Sequence, residues 1–120
     1  MKEDMVAIIS HTLLELGIPS NYLGFSYLVF AITLILDRPH HNFRASKELY
    51  ITVGEHFGTS YGSVERCMRY AILTGWALGN KELINKIFLN SLNPKKTTPT
   101  NSQYISSLCL YLCSLQTQQA

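Results

Sequence analysis

The sequence predicts an all-α domain of about six helices with a helix-turn-helix inside it. Three observations carry that expectation. Apolar residues recur at helical spacing through most of the chain, and no strand-length alternation or internal repeat interrupts them. Glycines, prolines and capping residues punctuate the pattern at helix-length intervals. Residues 50–69 read as two helices joined by a tight glycine turn.

The first helix spans about residues 3–16, with Met5, Ile8, Ile9, Leu13 and Leu16 as its apolar stripe and Gly17-Ile18-Pro19 as its stop. Ser20 or Asn21 is expected to cap the second helix, residues 22–37, which Pro39 closes. Its apolar run from Tyr22 to Leu36 contains Gly24, Ser26, Tyr27 and Thr33. It falls short of the roughly 20 apolar residues of a membrane span, so it reads as a nearly encircled core helix. Residues 39–45 form a loop, and Ser46 can cap a scaffold helix over residues 47–57. Within that helix Val53 and Phe57 lie one turn apart and can face a core, while Gly54 is small enough to let a second helix approach. Gly58 follows directly, where a chain leaving a helix adopts the left-handed conformation that glycine takes cheaply. Thr59 or Ser60 then caps the next helix, residues 61–77, whose inward residues are Val64, Met68, Ala71 and Ile72. Gly79 ends it and Asn80 caps a further helix with Leu83, Ile84, Ile87 and Phe88 on its buried side. Residues 94–99 form a polar Pro/Lys loop. Thr100 and Gln103 have capping-box spacing, and Tyr104, Ile105, Leu108, Leu112 and Leu115 stripe the last helix.

At 120 residues, 47% hydrophobic and 15% charged, the chain suits one domain with a real core and excludes a disordered tail. The net charge of +2 is modest for a nucleic-acid binder. Around the two-helix unit, Arg38, Arg44, Lys47, Arg66 and Arg69 stand against Glu48, Glu55 and Glu65, a local positive bias too weak to carry much non-specific affinity. Cys109 and Cys113, one turn apart, read as buried small apolar residues rather than a disulfide or a metal site. The His40-His41 pair has no Cys or carboxylate at ligand spacing, so neither a metal nor a cofactor is expected. No nucleophile, base and orienting acid form a catalytic constellation, and the chain is not expected to be an enzyme. Cysteines expected to be reduced and the lack of a signal peptide point to the cytoplasm, with no membrane association.

A helix-turn-helix of this kind is built to place its second helix in a DNA major groove. Gly62, Glu65, Arg66 and Arg69 follow i, i+3, i+4, i+7 spacing and line the stripe opposite the buried one. An Arg can bond both acceptors of a guanine edge, and a carboxylate can accept from cytosine N4. The plain alternative is a solvated face on which Glu65 and Arg69 form an ordinary i, i+4 ion pair.

Beyond spacing, the chain resembles the DNA-binding effector domain of the stage-zero sporulation response regulator. The resemblance is carried by Leu14-Glu15-Leu16-Gly17-Ile18-Pro19, by Gly24-Phe25-Ser26-Tyr27-Leu28 and by Ser63-Val64-Glu65-Arg66-Cys67-Met68-Arg69-Tyr70-Ala71-Ile72 with Trp76, Gly79 and Asn80. Pro99-Thr100-Asn101-Ser102 completes it, and it covers about residues 8–113. It implies a transcription regulator of cytoplasmic, nucleoid-associated DNA, in which Glu65, Arg66 and Arg69 fall on positions that read a short GTCGA-type box. Thr59, Ser60 and Tyr70 are the expected phosphate contacts, with Lys95 and Lys96 as weaker ones. Gly62 and Ser63 occupy positions where the family typically has Ser and a base-reading Arg, and Tyr70 replaces a family His.

A single domain reads few base pairs, so homodimeric or tandem binding to double-stranded DNA is expected, with RNA polymerase or a full-length regulator as further partners. The family regulator also carries an amino-terminal receiver domain with a phosphorylated Asp. Here residues 1–120 read as one effector-like domain without a receiver, since Asp4 and Asp37 are the only aspartates. The competing reading is an interaction module that keeps the fold, has lost specific DNA binding and pairs with a full-length regulator.

Overall fold

An apolar helix threads the middle of the molecule and four of the others pack around it. The computed structural model describes residues 2–38, 47–88 and 98–119. Its six helices are α1 (Lys2–Glu15), α2 (Leu23–Asp37), α3 (Lys47–Phe57), α4 (Tyr61–Leu78), α5 (Lys81–Phe88) and α6 (Asn101–Gln119). The predicted all-α class is the observed one, and no strand occurs among the described residues. The expectations for Pro39, for the loop of residues 39–45, for Ser46 and for the loop of residues 94–99 fall wholly or partly outside the described residues.

The α2 helix packs against α1, α3, α4 and α6, and α5 rests on α6. Leu28, Ala31 and Ile32 on α2 are fully buried, together with Val53 on α3 and Val64, Met68, Ala71 and Ile72 on α4. Each fully buried Val, Ile or Met side chain contributes roughly 1.5–3 kcal/mol relative to exposure, so this shared centre is what holds α3 and α4 in place. The side chains of α6 face inward as expected at Tyr104, Ile105, Leu108 and Leu112, with Leu115 half-buried.

Helix ends follow local chemistry closely. At the end of α1, Gly17 adopts φ +87°. There the Ile18 N–H donates to Leu13 O at 3.1 Å and the Gly17 N–H to Leu14 O at 3.0 Å, a Schellman closure with Ile18 tucked into the core. Asn80 Oδ1 accepts from the N–H groups of Glu82 and Leu83 at the start of α5. Thr100 and Gln103 form the reciprocal capping box: the Gln103 N–H donates to Thr100 Oγ1 at 3.1 Å and the Thr100 N–H to Gln103 Oε1 at 3.0 Å.

Four expectations need correction. Ile8 is exposed, because α1 packs chiefly on α2, which buries the line Ile9, Thr12, Leu13 and Leu16 and half-covers Met5. Neither Ser20 nor Asn21 caps α2; Tyr22 takes the cap position without a side-chain bond, since the turn from Pro19 closes through the Tyr22 N–H to Pro19 O. Phe57 is 40% exposed, at the rim of an aromatic cluster with Tyr27, Phe30 and His56 instead of inside the core. Cys109 is buried but Cys113 is exposed, on the outer side of α6, and no disulfide joins the cysteines.

Burial pushes the Cys109 thiol up to about 12 from its ordinary 9.0, with Cys113 adding to the effect, and burial raises the Tyr104 phenol in the same sense. A thiol whose folded pKa is raised contributes its stability fully below the unfolded value and loses it as pH climbs toward the folded one. The fold should therefore weaken between about pH 9 and 12, as followed by far-ultraviolet circular dichroism during urea melts. Cys109→Ala should show a shallower loss over that window, because one proton-linked group is gone.

Candidate nucleic-acid interface

The α3–turn–α4 unit is fixed by three local features. Gly58 takes φ +70°, and a Cβ there would meet nothing within 4 Å, so its role is conformational. Ser60 caps α4 by accepting the Ser63 N–H at 3.2 Å. Gly54 does allow a close approach, but the group that approaches is the turn: its carbonyl accepts the Thr59 N–H, and a Cβ would sit 2.5 Å from Thr59 O. The body of α4 is approached most closely by a residue from α2. A Cβ at Gly24 would press into the Cys67 carbonyl and lie 2.8 Å from Ala71 Cβ. At its far end α4 meets α1 through Gly75 and Gly79, both packed on the Leu16 carbonyl, while the Asn80 N–H donates to Glu15 O.

With its inner side locked, α4 presents the expected stripe outward. Glu65 and Arg66 are exposed, while Gly62, Ser63 and Arg69 are half-buried. A Cβ at Gly62 would meet only Arg66 Nη1, at 3.3 Å, so the Arg66 guanidinium lies back along the first turn of its own helix. The Arg69 guanidinium instead donates to the carbonyl of Pro99, in the lead-in to α6. The buried Asn101 amide donates to the Glu65 carbonyl at 3.1 Å. Two residues of the stripe are therefore gripped by the start of α6, and Arg66 is not among them.

Lys47, Tyr50, Glu65, Arg66, Arg69 and Asn101 line a groove of about 510 Å³ along this side. Three cationic side chains face one carboxylate there, a positive balance suited to an anionic partner. Lys47 is held at the start of α4 with its ammonium 4.8 Å from the Tyr61 ring centroid. Burial raises the Tyr50 phenol, and a hydrogen bond with Asn101 acts the other way.

Of the expected phosphate contacts, Thr59 is half-buried in the turn, Ser60 is exposed but engaged as the cap, and Tyr70 is 60% exposed. Lys95 and Lys96 lie outside the described residues. Sequence reading missed the tethers from Pro99 and Asn101, and also Tyr22, whose ring stacks on Tyr70. Pro99 and Asn101 sit in a segment that carried the resemblance, so their place was marked, but a contact across 30 or more residues has no local signal. Among the described residues no three His, Cys, Asp or Glu are placed to hold a metal ion, and no helix is long and apolar enough to cross a membrane. One family spans nearly all of this architecture: the family described as Sporulation initiation factor Spo0A C terminal matches residues 9–112.

Proposed function

Because the chain belongs to the sporulation initiation factor Spo0A C-terminal family, whose domains are DNA-binding effectors of transcription, we propose that α4 reads a short GTCGA-type box in the major groove. Arg66 bonds a guanine edge, Glu65 accepts from a cytosine amino group, and Arg69 reaches a second guanine after leaving the Pro99 carbonyl. Gly62 and Ser63 stand at base-reading positions with little to offer a base, which narrows the box that this chain discriminates. Thr59, Ser60 and Tyr70 contact flanking phosphates, which fix register without carrying sequence information. The observation that carries this reading is the outward stripe of α4, with Arg66 exposed in a groove that it lines with Lys47 and Arg69. Paired or tandem domains on neighbouring boxes, acting on nucleoid DNA in the cytoplasm, complete the proposal, with RNA polymerase or a full-length regulator as the protein partner.

A second reading, a protein-interaction module without specific DNA binding, is favoured by Gly62 and Ser63 and by the capture of Arg69 at Pro99. Fluorescence anisotropy with a box-containing and a scrambled duplex across a salt series separates the two. The DNA-reading role predicts a preference for the box of at least tenfold, about 1.4 kcal/mol. A folded protein that binds neither duplex would establish the interaction module instead.

A further inference from the structure

The exposed stripe of α4 has two borders. The start of α6 forms one, and the turn between α1 and α2 forms the other, through Tyr22. The Tyr22 ring stacks on Tyr70 with centroids 5.3 Å apart and planes 14° from parallel. Tyr22, Leu23, Arg66 and Tyr70 together line a cavity of about 390 Å³ that opens beside the reading face. Tyr70 follows Arg66 by one helical turn, so this cavity continues the stripe on the side away from Glu65. Leu23 is 62% exposed and Tyr70 60% exposed.

The turn that carries Tyr22 has little freedom to move relative to α4. Its backbone closes on Pro19 and on Phe25, and two residues further on Gly24 packs directly against the Cys67 carbonyl. The backbone at Tyr22 is thereby held against α4, and the Tyr22 ring rests on Tyr70. The cavity wall is mostly apolar, and it is built from side chains that also carry two phenol hydroxyls and one guanidinium. A sugar–phosphate backbone offers the matching mixture, acceptor oxygens alternating with apolar sugar faces. A hydrogen bond with Tyr22 holds the Tyr70 phenol above its ordinary value.

We propose that Tyr22 is a DNA-contact residue: its hydroxyl, set beside Tyr70 and Arg66, grips a backbone phosphate on the strand bordering the box. This rests on the reading role of α4 and extends it to a different segment of the chain. The contact is uncharged, so it strengthens binding without choosing a sequence and without releasing a counterion.

The test compares the intact chain with Tyr22→Phe, which keeps the ring stack, on box and scrambled duplexes across a salt series. Tyr22→Phe should bind both duplexes roughly tenfold more weakly, the scale of a hydrogen bond to a charged group. Its preference for the box and its salt slope should match those of the intact chain. A series of duplexes with single neutral methylphosphonates should reveal one flanking position at which the intact chain loses more affinity than Tyr22→Phe does. Equal affinity of Tyr22→Phe and the intact chain for both duplexes overturns the contact, leaves base reading by α4 standing, and would fit a protein partner for this surface. Failure of the intact chain to bind either duplex overturns both.

Discussion

Arg66→Ala is expected to erase the preference for the box while leaving the fold unchanged. The side chain is exposed and lies over Gly62, where it supports no core contact. Surface changes of this kind usually alter stability by no more than about 0.5 kcal/mol. Removing a bidentate guanine contact costs about 1–3 kcal/mol of discrimination, and loss of one cation lowers the salt slope by about one. Anisotropy on box and scrambled duplexes, beside a thermal melt, measures all three quantities. A retained preference with an unchanged melt would remove Arg66 from the reading face. Arg69→Ala should behave differently. Its guanidinium anchors the Pro99 carbonyl, so truncation should lower the melting temperature as well as the affinity. Two arginines that are equivalent by spacing are thus separated by what packs beside them.

Gly24→Ala should have the largest effect on stability. The new methyl group would press into the Cys67 carbonyl and lie 2.8 Å from Ala71 Cβ, and neither is the movable tip of a long side chain. Only separation of α2 from α4 relieves the clash. Overpacking of this kind costs about 3 kcal/mol, and the melting temperature should fall on the order of 10 °C. Gly58→Ala provides the contrast, since its φ is +70° but a Cβ there touches nothing, and its cost should be near 1 kcal/mol. Urea melts of the two variants compare the steric and the conformational role of glycine directly. If Gly24→Ala melted like the unmodified chain, the close crossing of α2 and α4 would be refuted. Because that crossing also sets Tyr22 beside Arg66, Gly24→Ala should weaken DNA binding in the fraction that remains folded.

Much of the molecule was legible because its signals are local. Helical periodicity is imposed by the backbone, so the inward faces of α4 and α6 could be read from spacing alone. Caps depend on neighbours two or three residues away, and Ser60, Asn80 and the Thr100–Gln103 box all formed as their sequence implied. The outward stripe was legible for the same reason: Glu65, Arg66 and Arg69 are placed by the periodicity of one helix.

Apart from the local turn that displaced the cap of α2, the errors arose where a second element decides the outcome. Ile8 and Phe57 have the right spacing for burial, but too little of the molecule packs over them. Gly54 was assigned a helix contact that Gly24 supplies, because spacing shows that a residue is small without showing what approaches it.

The sequence by itself determined the all-α class, the caps of α4, α5 and α6, the family and the residues that face outward on α4. Only the tertiary structure decided that Pro99 and Asn101 tether Arg69 and Glu65, that Arg66 is left outside that tether, and that Tyr22 stands beside it. The physical reason is range. Caps and helical faces follow from torsions and hydrogen bonds within a turn or two, whereas these contacts join segments that meet only once the core has closed around α2.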